Sequence, residues 1–290
     1  ASVVTDRMPD YAIIHRSLSI LRHNPSGLQH EHRLMWQMRL SDSEHRLLKN
    51  SYFALGPQVM VSPSLQRAGL RASFKPFAML EMFALVEKLW FIGTFDYVQS
   101  YPDAAADFSP EAQKAATERG ENYDATGTQI SLSARLQAKV GPIAVRSTNR
   151  LNRHWFNTKR NDPVWYDIYT DTLTPRDGWV FLQDNDLLFI KGRLVIGLRH
   201  TMSRSYLSDE VLKPLAVDAD RPELTHRLGP FAAYRLNDDT KFVDSIFRRP
   251  TLVVLTQFWV KHPYRTGQSV SQAIPWIVVA LAFDGRVKTL

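Results

Sequence analysis

The chain has no cysteine among its 290 residues, which excludes disulfide staples and thiolate metal sites. No window holds the roughly 18 uninterrupted apolar residues of a transmembrane helix. That absence leaves a membrane barrel open, because a barrel strand carries only about 5 lipid-facing residues among polar ones. There is no Gly-rich phosphate loop, no G-x-S-x-G and no H-E-x-x-H, so the common nucleotide, serine-hydrolase and zinc-protease signatures are missing. Tandem repeats and low-complexity segments are missing too. The opening Ala-Ser-Val-Val-Thr has neither a basic n-region nor an apolar h-region, so the expectation is that any signal peptide has been removed. Nothing calls for a cofactor. The His30-x-His32 pair has Glu31 between its members but no third ligand in a fixed relation, and it reads as a solvated loop pair rather than a metal site.

What is present is alternation. In Gln129–Val140 every even position (Ile130, Leu132, Ala134, Leu136, Ala138, Val140) is apolar. Every odd one is polar: Gln129, Ser131, Ser133, Arg135, Gln137 and Lys139. Successive side chains of a strand point to opposite faces, so this segment has one oily and one wet face. Its length matches the roughly 9–11 residues of a tilted strand crossing a bilayer. Gly141-Pro142 then reads as a turn.

The pattern recurs along the chain. Strands are expected at Tyr11–Arg22, His32–Leu40, Tyr52–Val61, Gly69–Lys75 and within Phe77–Tyr97, where Ala78–Leu89 also fits a helix face. Further strands are expected from Ile143, and at Trp165–Leu173, His226–Leu236, Thr251–Lys261 and Pro275–Phe283. Trp179–Met202 reads as one interrupted strand or as a hairpin. A short helix is expected after Ser109, with Pro110 at its first position. Long polar loops are expected near 98–125, 153–163 and 204–223. Taking Trp179–Met202 as a single strand gives about twelve strands, and every long loop then falls at one end of the sheet. Splitting it puts the 204–223 loop at the other end. The 238–249 connection is long for a turn at the short end.

The segments Gln129–Val140, His32–Leu40 and Pro275–Phe283 make the chain resemble a Gram-negative outer-membrane β-barrel of the small porin or solute-channel type. The resemblance covers nearly the whole chain. It implies an all-β, antiparallel up-and-down transmembrane barrel of about twelve strands, forming one domain over residues 1–290, with periplasmic termini and the long loops outside. It further implies integral placement in the outer membrane and contact with lipid and lipopolysaccharide. Barrel-borne hydrolases exist in the resembled architecture, but no Ser, His or Asp spacing here picks one out, and no catalytic role is expected. Glycine is scarcer than in the common pattern, at 13 residues. The seven tryptophans lie near the ends of candidate strands more often than at their centres, as interfacial girdles require.

Net charge is +7. The basic residues sit singly at alternate strand positions, which argues against a nucleic-acid patch and for an interior face. On the alternation, Arg33, Arg39, Arg71, Lys75, Arg135, Lys139, Arg146, Arg150, Arg193, Arg199, Arg227 and Arg235 point inward, with Glu81, Glu87, Asp167 and Asp171 facing them. Rings of Arg and Lys suit a pore for small anionic solutes. Opposed charges also pair off and close a lumen, which would make the barrel a structural or docking component for an envelope protein partner. A soluble β-barrel or sandwich enzyme is the third reading. The basic and aromatic run Arg150–Phe156 is expected at the outer rim, with Trp155 and Phe156 in the interface and Arg150, Arg153, Lys159 and Arg160 toward lipopolysaccharide.

Overall fold

The alternation of Gln129–Val140 is carried by a strand that starts four residues earlier and ends where expected. The computed structural model describes residues 8–216, 222–237, 248–266 and 274–289. In chain order its elements are β1 (Tyr11–His23), β2 (Gly27–Arg39), β3 (Tyr52–Val61), β4 (Leu65–Phe77), β5 (Leu80–Phe91), β6 (Ser100–Tyr101), α1 (Pro110–Glu118), β7 (Ala125–Val140), β8 (Ile143–Asn157), β9 (Val164–Asp167), β10 (Thr172–Pro175), β11 (Asp177–Lys191), β12 (Leu194–Ser205), α2 (Asp209–Leu212), β13 (Leu224–Arg235), β14 (Arg248–Lys261) and β15 (Trp276–Thr289).

Twelve of these strands form one closed antiparallel barrel, in the order β1-β15-β14-β13-β12-β11-β8-β7-β5-β4-β3-β2. Each wall strand pairs with its chain neighbours in the wall, and β1 closes on β15, with Ala12 opposite Thr289 and His23 opposite Ile277. The wall is up-and-down, and closure leaves no open edge. The start of β1 and the end of β15 lie at the end of the barrel that carries the tight turns.

Three of those turns have two residues, Ala78-Met79, Gly141-Pro142 and Gly192-Arg193, closing the pairs Phe77–Leu80, Val140–Ile143 and Lys191–Leu194. Gly141 and Gly192 sit at φ +56° and +59°. Glycine in the first central position is what a type II′ hairpin turn requires, and a Cβ there would be strained.

The lipid face is where the alternation places it. Leu70 is 64% exposed, Leu198 51% and Leu132 49%, all on the outer surface. A belt of this size in water would be an aggregation site, and against hydrocarbon it is the spanning surface of a membrane barrel. Trp90, Trp155 and Trp179 stand outward near the long-loop end, and Trp36 stacks on Tyr11 toward the other end. The other three tryptophans leave the expected girdle. Trp165 is fully buried in a loop, while Trp259 and Trp276 are on inward strand positions. Phe156 also turns inward, 4% exposed.

The outer face has polar exceptions, and they bond to one another. Ser19 contacts His30 at 2.7 Å, His15 contacts His32 at 3.1 Å, and His30 and His32 are in direct contact. On the β8–β11 side Gln183 donates to Asn149 at 2.8 Å and Asn149 to Ser147 at 3.1 Å. Lipid tails offer no partners, so such groups must satisfy each other. The His30-x-His32 pair is thus within β2 on the outer face and not in a loop. These residues also blur the alternation of β1 and of the first half of β2.

Two expectations fail together. Trp165–Leu173 is not a wall strand. It is a short hairpin, β9 paired with β10, and every residue of both strands is buried. A segment buried on both faces cannot show alternation. Trp179–Met202 is two wall strands, β11 and β12, joined at Gly192-Arg193. The miscounts cancel, so the total of twelve and the placement of long loops at one end both survive.

At the long-loop end, β6, β9 and β10 form a three-stranded sheet. With residues 92–124 and 158–176 it packs into the mouth. Its core joins Val98, Phe108, Trp165, Tyr166 and Leu173 to the inward wall residues Leu65, Phe91 and Phe156. The expected helix is α1, where the Ser109 hydroxyl accepts from the Ala112 amide at 3.2 Å and Pro110 leads the first turn. The third long connection runs over 206–223, of which 217–221 lie outside the described residues, as does 238–247 of the connection after β13.

Candidate functional site

The barrel interior is divided lengthwise. Inward positions of β2, β4, β7 and β8 carry Arg33, Arg71, Arg135 and Arg150 among amides and hydroxyls. Opposite them, Leu188, Phe231, Leu255, Val278 and Ala280 form an apolar cluster on β11, β13, β14 and β15.

Most inward cations are tied to acids. Arg33 pairs with Glu31 at 2.5 Å, Arg67 with Glu87 at 3.3 Å and Arg135 with Glu81 at 3.1 Å. Arg146 and Arg199 share the fully buried Asp186 carboxylate, at 2.7 and 2.6 Å. Arg39 reaches Asp10 and, at 2.5 Å, Asp42 near the short-turn rim. The cross-strand pairs among them, Arg67–Glu87, Arg135–Glu81 and the two on Asp186, brace the wall and narrow the lumen.

Four inward guanidiniums, Arg22, Arg71, Arg150 and Arg227, have no carboxylate within ion-pair distance among the described residues, and Arg22 donates instead to the Pro25 carbonyl at 3.1 Å. Arg71, 5% exposed, donates to Ser73 at 3.1 Å and lies 3.5 Å from the centre of the Phe83 ring. Arg150 lies over the same ring at 5.7 Å. Arg227, 7% exposed, is held between the indoles of Trp259 and Trp276, and one of its terminal nitrogens is unbonded. Arg71 and Arg150 border a cavity of about 180 Å³. Glu31, Glu87 and Asp167 also line it. Each of these acids is already engaged, by Arg33, by Arg67 and by the Tyr169 amide at 2.9 Å. Four guanidiniums, Arg33, Arg67, Arg71 and Arg150, thus face three carboxylates in the lining, and the single excess positive charge favours an anion there. Its volume equals about six waters.

The roof of the cavity is the β9–β10 hairpin. Tyr169 projects down between Arg22 and Arg67, at 5.0 and 4.8 Å from its ring centre. The hairpin is latched by Asp171, which accepts from Tyr166 at 2.5 Å and from Arg265 at 2.7 Å, while the His262 ring meets the Asp171 carbonyl at 2.6 Å. Arg265 also donates to Asn24 in the β1–β2 turn at 2.5 Å. Burial alone would raise the Asp171 carboxyl. His262 and Arg265, with the Arg265 and Tyr166 hydrogen bonds, outweigh it and hold the group at about 2. Burial pushes the His262 imidazole below its ordinary value, only partly offset by Asp171. The Tyr166 phenol is pushed up by burial and by the facing carboxylate.

The candidate residues thus fall into distinct places. Arg33, Arg71, Lys75, Arg135, Arg146, Arg150, Arg199 and Arg227 are on inward strand positions. Arg39, Lys139 and Arg235 are at the short-turn rim. Arg193 is in the Gly192-Arg193 turn, not in the lumen, because a two-residue turn continues the parity of its strand without its direction. Asp167 and Asp171 belong to the loop hairpin and not to a wall strand. The Arg150–Phe156 run divides: Arg153 stands outward over Trp155 at 4.9 Å, while Arg150 and Phe156 turn inward. Sequence reasoning missed Arg16, Arg22, Arg67, Asp184, Asp186 and Tyr169. Arg67 precedes the clean part of β4, and Arg16 and Arg22 share β1 with outward His15 and Ser19. Extending each alternating run back to its turn would have found Arg67.

No protein-family model and no curated protein matches the sequence. Among solved structures the chain is similar to the KdgM porin in complex with disordered oligogalacturonate, at 10% identity over 93% of this chain and 98% of that one, TM-score 0.40. It is similar to the NanC porin at 8% identity over 95% and 99%, TM-score 0.37. It is also similar to OccAB1 of Acinetobacter baumannii at 9% identity over 99% and 100%, TM-score 0.41. Likeness at this level goes no further than a common barrel outline, and the fold itself is read from the strand pairing.

Proposed function

We propose that the chain is an integral barrel of the Gram-negative outer membrane, with both termini periplasmic, that passes small anionic solutes when its mouth loops part. The observation that carries this reading is the pair Arg71 and Arg150, in mid-lumen beside a cavity with net positive lining and with no carboxylate at ion-pair distance among the described residues. Leaving buried guanidiniums without a counterion is costly, and a passing anion supplies one. The outward Arg153 and the exposed Lys159 and Arg160 suit lipopolysaccharide at the outer rim. The role is non-catalytic and needs no cofactor.

Planar-bilayer recording tests it. Chloride and small carboxylates should be preferred over potassium, and Arg71→Glu with Arg150→Glu should reduce or reverse that preference. Cation preference in the unaltered protein would sink the reading. A second reading is favoured by the latched hairpin in the mouth: a closed barrel that docks an envelope partner. A silent bilayer trace together with a stable co-purifying protein would select it.

A further inference from the structure

We propose that the short-turn end of the lumen is a binding site for small amphiphilic organic anions, each an aliphatic body carrying one carboxylate. This rests on the channel reading and narrows its solute. The mouth at this end holds a cavity of about 870 Å³, within the 300–1,000 Å³ typical of small-molecule sites. The mid-lumen cavity, at about 180 Å³, is much smaller, and its lining of charged, amide and hydroxyl groups offers an aliphatic body little apolar wall.

The two sides of this vestibule differ in kind. On one side are three cations: Lys139 at the end of β7, Arg146 on β8, and Arg46 from the 40–51 connection. On the other are Leu188, Val195, Phe231, Ala233 and Val253. No carboxylate is among the described lining residues. The nearest acid bonded to this set, Asp186, already holds both Arg146 and Arg199 and leaves the pair net positive. The apolar side continues inward as the cluster of Leu255, Val278 and Ala280.

This division selects a ligand by elimination. A hydrated inorganic anion gains from the cations, but must lie against a wall that offers it no hydrogen bonds. A neutral apolar molecule gains from the wall and leaves the cations unused. A cation with the same body meets three like charges. Only an apolar body with an anionic head uses both sides at once.

The test is current block and direct binding with a homologous series: acetate, butyrate and hexanoate, with inorganic phosphate, hexanol and hexylamine as controls. The protein is the full chain in nanodiscs for calorimetry and in planar bilayers for current. Hexanoate should bind saturably, with affinity rising by up to about fourfold per methylene, since a buried CH₂ contributes about 0.8 kcal/mol. Phosphate, hexanol and hexylamine should each bind at least tenfold more weakly. Lys139→Gln combined with Arg46→Gln, both exposed positions, should weaken hexanoate several-fold and leave hexanol unchanged. Equal affinity for acetate and hexanoate, or no effect of the double substitution, overturns the proposal. Anion-selective current without chain-length dependence would leave the channel reading standing and sink this one. Chain-length- and charge-dependent binding by a barrel that passes no current would do the reverse.

Discussion

The Asp171 carboxylate is 2% exposed, yet it binds two side-chain donors and holds the loop hairpin to the Tyr264–Thr266 segment. Removing its charge while Arg265 stays buried leaves an uncompensated guanidinium, an effect of about 3–5 kcal/mol in buried pairs. Asp171→Asn should therefore destabilise the closed mouth and raise the open fraction in single-channel records. The latch should also answer to acid in two stages. A depressed imidazole makes the closed form disfavour a proton, so its contribution is full above about 6.5 and drains as pH falls below that. A depressed carboxyl contributes above its free value near 4 and loses that contribution as pH falls toward about 2. Opening should begin below about pH 6.5, and His262→Gln should remove that first stage while leaving the second. An opening profile flat from pH 7 to 5 in the unaltered protein would exclude the His262 stage. Asp171 stood out in the sequence only as an acid facing the lumen cations, and its latching role was not legible, because its partners Tyr166 and Arg265 are brought to it only by loop folding. Arg71, by contrast, was legible, because Leu70, Ala72 and Phe74 flank it in strict alternation.

At the scale of the strand, depth in the bilayer becomes measurable. Leu132 is midway along β7 on the lipid face, and Val140 is on the same face at the turn. Leu132→Arg should cost about 2–4 kcal/mol in reversible folding into vesicles and Val140→Arg only about 0–1 kcal/mol. Equal costs would mean that the face or the depth is misassigned. Strands such as β3 and β7 were legible because one face meets oil and the other polar groups. The β9–β10 hairpin was not, since both of its faces are buried, and its eight residues took the place of a wall strand in the count. The hairpin reading of Trp179–Met202 lost to the single strand in the count because Gly192-Arg193 is too short to interrupt a period of two. Two opposite errors left the total right, so agreement in strand number was weaker support than it looked.

For the molecule as a whole, the wall and the plug are separable in role. Replacing residues 164–175 with a short linker should leave the twelve-stranded wall folded and raise conductance several-fold, read in bilayers beside the heat-sensitive gel mobility of folded barrels. No gain in conductance would place the main constriction at the ion pairs around Asp186 and Glu87 instead. The lengthwise division of the lumen was out of reach of the sequence. Both halves obey the same alternation, and only closure sets the Phe231 side against the Arg150 side.

That closure also bears on how the molecule comes to exist. The seam joins the first wall strand to the last, with Ile14 opposite Arg286 and Ile20 opposite Ala280, and these are the most sequence-distant pairings in the wall. Every other wall pairing is between strands adjacent along the chain or separated by one loop, and can form locally. Until β15 arrives, β1 is an unpaired edge that hydrocarbon cannot solvate, so insertion and seam formation must be a single late event rather than a strand-by-strand entry.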